Sequence, residues 1–73
     1  MRTPIVNFKL GDRVVISKLG RRSYQNYVTN PHGETGTVIE EINHHRWIHV
    51  KWDNGFSNEY QELEIRHADR HLH

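Results

Sequence analysis

Seven histidines, nine carboxylates and seven arginines in 73 residues are the groups that could carry chemistry. His67 and His71 stand four apart, with His73 beyond them. On a helix the first pair would share a face, as zinc ligands can. His44 and His45 are adjacent and would diverge on a strand. No cysteine supports either group, and the terminal stretch lacks the core that would give ligands a fixed geometry and a second shell. No metal site is expected. Glu40-Glu41, Glu59, Glu62 and Glu64 show no sign of a buried pair with separated pKa values, which acid/base catalysis requires. Ser17, Ser23 and Ser57 lack a nucleophile motif, and no glycine loop is built to cradle phosphate. The chain reads as non-enzymatic, with no catalytic residue and no cofactor.

Binding chemistry is better represented. Arg21-Arg22-Ser23-Tyr24-Gln25-Asn26-Tyr27 interleaves cations with aromatics, which suits RNA or an acidic protein patch. The competing reading is that the tyrosines lay their rings on the fold and keep only their hydroxyls in water. Trp47, His49 and Lys51 would line one face of a strand, with Arg46 at its start, where an aromatic beside cations can stack a base or hold a peptide side chain. Trp47 could equally fold back under a loop into a satellite core. The segment Arg2–Phe8 carries Ile5, Val6 and Phe8. With Asn7 it could meet a partner at an open strand edge, or it could cover the protein's own barrel. The candidate partner-binding residues are therefore Val6, Asn7, Arg21, Arg22, Tyr24, Tyr27, Arg46, Trp47 and His49.

The bulk properties narrow the partner. The formal charge is +1, from 10 Lys and Arg against 9 Asp and Glu. A protein held to nucleic acid mainly by charge shows a larger basic excess. Histidine titrates near pH ~6.5, so mild acid would raise the positive charge. Arginine's dominance among the basic residues favours bidentate contact with carboxylate or phosphate. The length allows one domain with a thin core. No apolar run approaches the roughly 20 residues that span a bilayer, and no signal-peptide core is evident. A soluble, cytoplasmic protein, monomeric when free, is the expectation.

Something must position these residues, and the pattern points to strands. Gly11-Asp12 signals a turn before the β-branched run Val14-Val15-Ile16. Leu19 to Thr35 shows no clear period and reads as a long excursion with one helical turn at Ser23–Tyr27. Gly36-Thr37-Val38-Ile39 opens a second strand that ends near Ile42. Trp47-Ile48-His49-Val50-Lys51-Trp52 alternates strictly, with Ile48, Val50 and Trp52 on one face. Asp53-Asn54-Gly55 is a hairpin turn. A fourth strand near Phe56–Tyr60 precedes a single turn at Gln61–Leu63 and a short last strand, Glu64-Ile65-Arg66. The expected core is Val14, Ile16, Val38, Ile42, Ile48, Val50, Trp52, Leu63 and Ile65, with Phe8, Leu10 and Tyr60 closing the ends. Five short strands and one long first connection describe an all-β, partly open barrel over residues 10–66. An N-terminal segment 1–9 precedes it and a flexible His-rich tail 67–73 follows. An antiparallel meander packed on one short helix is the competing architecture.

Leu10-Gly11-Asp12-Arg13-Val14-Val15-Ile16, Gly36-Thr37-Val38-Ile39 and Ile48-His49-Val50-Lys51-Trp52-Asp53-Asn54-Gly55 together resemble the SH3-like barrels of the KOW and Mind-bomb/Herc2 type. The resemblance covers roughly Leu10 to Arg66. It implies an SH3-like barrel that binds a partner: KOW-type members contact RNA, ribosomes or RNA polymerase, and Mind-bomb/Herc2-type members bind peptides. The stretch Arg21–Val28 is longer than a minimal KOW loop, which departs from the usual nucleic-acid surface. In length and character the chain also resembles small bacteriophage proteins that bind bacterial RNA polymerase, inhibit initiation and promote antitermination. The expectation is a protein partner, bacterial RNA polymerase, met in the cytoplasm of a bacterial host. An RNA- or DNA-binding module is the alternative.

Overall fold

A computed structural model describes residues 8–40 and 47–68. The chain turns at Leu10–Asp12, where Gly11 takes φ 92°, a region that side chains with a Cβ rarely occupy. The Lys9 amide donates to Asp12 Oδ2 at 2.9 Å, and the Asp12 amide returns to Lys9 O at 3.0 Å. From this turn β1 (Arg13–Ile16) begins. A six-residue helix, α1 (Lys18–Ser23), follows at once. After a long loop come β2 (Gly36–Val38), β3 (Ile48–Trp52) and β4 (Ser57–Tyr60). A 3-10 turn, Glu62–Glu64, leads into β5 (Ile65–His67).

The five strands form one antiparallel sheet in the order β4-β3-β2-β1-β5. The sheet curls so that one face encloses the core. β4 and β5 remain as its two edges, so the barrel is small, all-β and partly open. Alternation explains β3. Ile48, Val50 and Trp52 are fully buried while Trp47, His49 and Lys51 face outward, as the pleat requires. The core is Phe8, Val14, Ile16, Val38, Ile48, Val50, Trp52, Tyr60 and Ile65. Tyr60, at the end of edge strand β4, is fully buried in this core, with its ring edge-on to Trp52 at 5.6 Å between centroids.

Several expectations need correction. Leu63 is 72% exposed and Leu10 is 58% exposed, so neither belongs to the core. The 3-10 turn meets α1 backbone to backbone: a Cβ on Gly20 would clash with Glu64 O. That approach leaves no room for the Leu63 side chain between the two elements. Leu10 lies in the turn closed by Gly11, and Phe8 fills that end of the core instead. The helical turn is at Lys18–Ser23, not Ser23–Tyr27. Ser17 caps it, its Oγ accepting from the Gly20 amide at 3.1 Å, and the Tyr24 amide closes it on Gly20 O. β5 starts one residue later than expected and takes in His67, whose ring stacks on Phe8 at 4.5 Å. Phe8 and His67 are thus both part of the folded unit, on either side of residues 10–66. Ile42 lies outside the described residues.

Candidate partner-binding surfaces

The long connection between α1 and β2 is fastened to the core by one phenol. Tyr60 Oη donates to Asn30 Oδ1 at 2.6 Å, with Thr29 O also within reach at 3.0 Å. Trp52 Nε1 donates to the same Oη at 3.1 Å. Asn58 Nδ2 adds a bond to Asn30 Oδ1 at 3.1 Å. A hydroxyl carried by a buried side chain must find partners, and here the loop supplies them. The phenol is correspondingly held neutral: burial pushes the Tyr60 pKa up.

Tyr24, expected among the partner-facing residues, is partly buried and packs against this core. Its ring meets Tyr60 edge-on at 5.5 Å, and its hydroxyl donates to Glu64 Oε1 at 2.9 Å. Burial, reinforced by that hydrogen bond and the carboxylate charge, pushes its pKa up to about 12. Tyr27, three residues on, is 61% exposed. The turn Tyr27–Asn30 is closed by the Asn30 amide on Tyr27 O at 2.9 Å. It turns Tyr27 and Val28 to the surface.

Val28 and Phe56 were not singled out from the sequence, yet with Tyr27 they form an exposed apolar corner. Asn54 Nδ2 donates to Val28 O at 3.0 Å, while Asn54 Oδ1 accepts from the Phe56 amide at 3.0 Å. One amide side chain therefore ties the long loop to the β3–β4 turn, where Gly55 takes φ 97°. Tyr27, Val28 and Phe56 are all exposed around this tie. The signal available in the sequence was Asn54 itself, a turn residue with a side chain free to bond elsewhere.

The outer sheet face is charged and largely self-neutralising. Arg13 reaches across β2 to Asp53 in a two-pronged pair, Nη2–Oδ2 2.7 Å and Nη1–Oδ1 2.9 Å, with Nη1 also on Thr37 Oγ1 at 2.8 Å. The guanidinium's hydrogen bonds hold the Asp53 carboxyl below the usual carboxylate range. His49 Nδ1 lies 3.2 Å from Glu40 Oε1, and Glu59 is its cross-strand neighbour on β4. Trp47 is partly exposed just before β3, beside this acidic setting.

Arg21 and Arg22 stand exposed in the last turn of α1. Arg21 Nη2 points to His32 O at 3.4 Å, and His32 Nε2 is 2.9 Å from Tyr24 O. The candidates thus divide among three places: Arg21 and Arg22 on α1, Tyr27 at the loop corner, Trp47 and His49 on the outer sheet. Val6, Asn7 and Arg46 lie outside the described residues, as do His44, His45, His71 and His73. Among the described residues no three His, Asp or Glu side chains cluster as metal ligands, and no helix is long and apolar enough to cross a membrane.

The fold and its surfaces define a small all-β barrel with an anchored long loop. Comparison with known proteins returned no match to any family model, curated protein or solved structure.

Proposed function

We propose that this protein is a non-enzymatic binding module whose partner is bacterial RNA polymerase, through which it modulates initiation and termination as a phage-type regulator. The observation that carries the protein-binding part is the corner of Tyr27, Val28 and Phe56, held in place by Asn54. Exposed aromatic and aliphatic groups on a rigid frame suit protein docking, because little side-chain and loop freedom is lost on binding. The resemblance of the strand motifs to KOW-type barrels directs the reading to the transcription machinery. The outer face favours protein over nucleic acid on charge: Glu40 and Glu59 flank His49 and repel phosphate there.

The test is binding to purified, nuclease-treated bacterial RNA polymerase. Binding should survive the nuclease and depend moderately on salt. Tyr27→Ala with Phe56→Ala should weaken it by about tenfold or more while leaving the melting temperature nearly unchanged. Loss of binding with nuclease, and a salt slope of about −0.7 to −0.9 per phosphate, would establish the nucleic-acid module instead. Normal binding by the corner variants, with loss in Trp47→Ala or His49→Ala, would move the site to the outer sheet.

A further inference from the structure

We infer that the outward crest of α1, made by Lys18, Arg21 and Arg22, is a docking surface for an acidic segment of a protein partner. The inference rests on the protein-binding reading above and assigns it a second contact with its own chemistry. Gly20 faces the barrel, pressed on Glu64 O and the Ile16 side chain. Lys18 and Arg22 stand two residues to either side of it. A period of about 3.6 residues per turn puts both on the side away from the barrel, one turn apart. Arg21 lies on the flank toward His32. All three are exposed.

Among the described residues the cations of α1 have no ion-pair partner. The ion pairs among the described residues are Arg13–Asp53, His49–Glu40 and His67–Asp12, and none involves α1. The 3-10 turn packed against α1 carries Glu62 and Glu64, but Glu64 Oε1 already accepts from Tyr24 Oη and the Gln61 amide. Local preference does not explain the arrangement either. Arg21 and Arg22 suit the helix C-terminus, yet Lys18 sits in the first turn, where a cation is unfavourable and no acidic residue offsets it. Like charges three and four apart also destabilise a short helix. Among the described residues no carboxylate forms an ion pair with these cations, so an acidic partner would meet them with their charge available.

Carboxylates fit better than phosphates. A single-stranded nucleic acid uses aromatic platforms between cations, and the tyrosine next to α1, Tyr24, is turned under onto Tyr60. What flanks the cations is Leu19, an exposed aliphatic side chain, which offers contact to a peptide side chain and nothing to stack a base. Lys18 and Arg22, one helical turn apart, can engage two carboxylates of one extended or helical segment.

The experiment is a titration of the isotopically labelled full chain, followed by amide NMR, with two probes. One is a short peptide alternating Glu and Leu; the other is a uridine oligonucleotide of equal net charge. The peptide should shift the amides of Lys18–Ser23 and of His32, and the effect should fade toward about 0.15 M salt as screening sets in. Lys18→Glu with Arg22→Glu should reduce the peptide's affinity by about tenfold or more without lowering the melting temperature. Shifts confined to other regions, or tighter binding of the oligonucleotide at α1, would overturn the inference. If the peptide binds as described while the polymerase does not bind at all, the crest stands and the choice of partner falls.

Discussion

The β3–β4 hairpin and the connection from Ser17 to Thr35 both bring aromatics to the core, by different means. In the hairpin, alternation decides which side chain goes in. Trp52 and Tyr60 are inward because Ile48, Val50 and Asn58 share their face. In the connection nothing alternates, and single polar bonds decide. Tyr24 turns in because Glu64 accepts its hydroxyl, and residues 29–30 lie down because the Tyr60 hydroxyl holds them. The hairpin is placed by the hydrophobic effect, spread over many atoms. The loop is placed by a few hydrogen bonds, each of which can be removed by deleting one oxygen.

That contrast can be broken most forcefully in the hairpin. Trp52→Ala removes the largest core side chain and should cost about 3–5 kcal/mol. A domain of this size has roughly that much stability in total, so the variant should be largely unfolded, which amide NMR dispersion will show directly. A smaller effect is expected from Tyr60→Phe, which keeps the ring and removes the hub. Asn30, Thr29 and Trp52 then lose a partner, at a cost of about 1–3 kcal/mol. The melting temperature should fall by roughly 5–20 °C, with amide exchange in residues 24–35 accelerated before that of β3. Uniform acceleration across both regions would show that the loop is not a separately fastened unit.

The finest test uses pH. Tyr24 is raised to about 12 by burial and its bond to Glu64, against about 10 for an unfolded tyrosine. Its neutral form is favoured by folding, so this contribution is fully present below about pH 10 and is lost as pH rises toward about 12. The stability gap between the wild type and Tyr24→Phe, measured by denaturant unfolding, should therefore narrow across that interval. A gap constant with pH would mean that the hydroxyl contributes nothing that ionisation removes.

The same contrast explains what was legible in the sequence. Strand identity, the order of elements and most of the core follow from period-2 runs and turn residues, and Val14, Ile16, Val38, Ile48, Val50, Trp52 and Ile65 are buried as that pattern requires. Leu63 misled because its apolar character said nothing about a backbone-to-backbone contact at Gly20. The helix was misplaced because Gly20 reads as a breaker, and its actual use, a close approach, depends on a residue 44 positions away in sequence. Tyr24 and Tyr27 are the same residue type in the same stretch. The three-dimensional positions of Glu64 and Tyr60 separate the partly buried one from the exposed one.

The pairing of β1 with β5 sets Val14 beside His67 and Ile16 beside Ile65. This ladder joins the two extremes of the barrel-forming chain, so nearly the whole sequence must be drawn into a loop before its bonds can form. Such non-local closure is the slow step in small β-proteins, whereas β3 and β4, joined by a short turn, can pair locally on the microsecond scale. The hairpin is thus suited to act as a template onto which β2 and then β1 assemble, with β5 added last. A chain in which that ladder had not formed would present β1 as an unpaired edge, open to association with other strands.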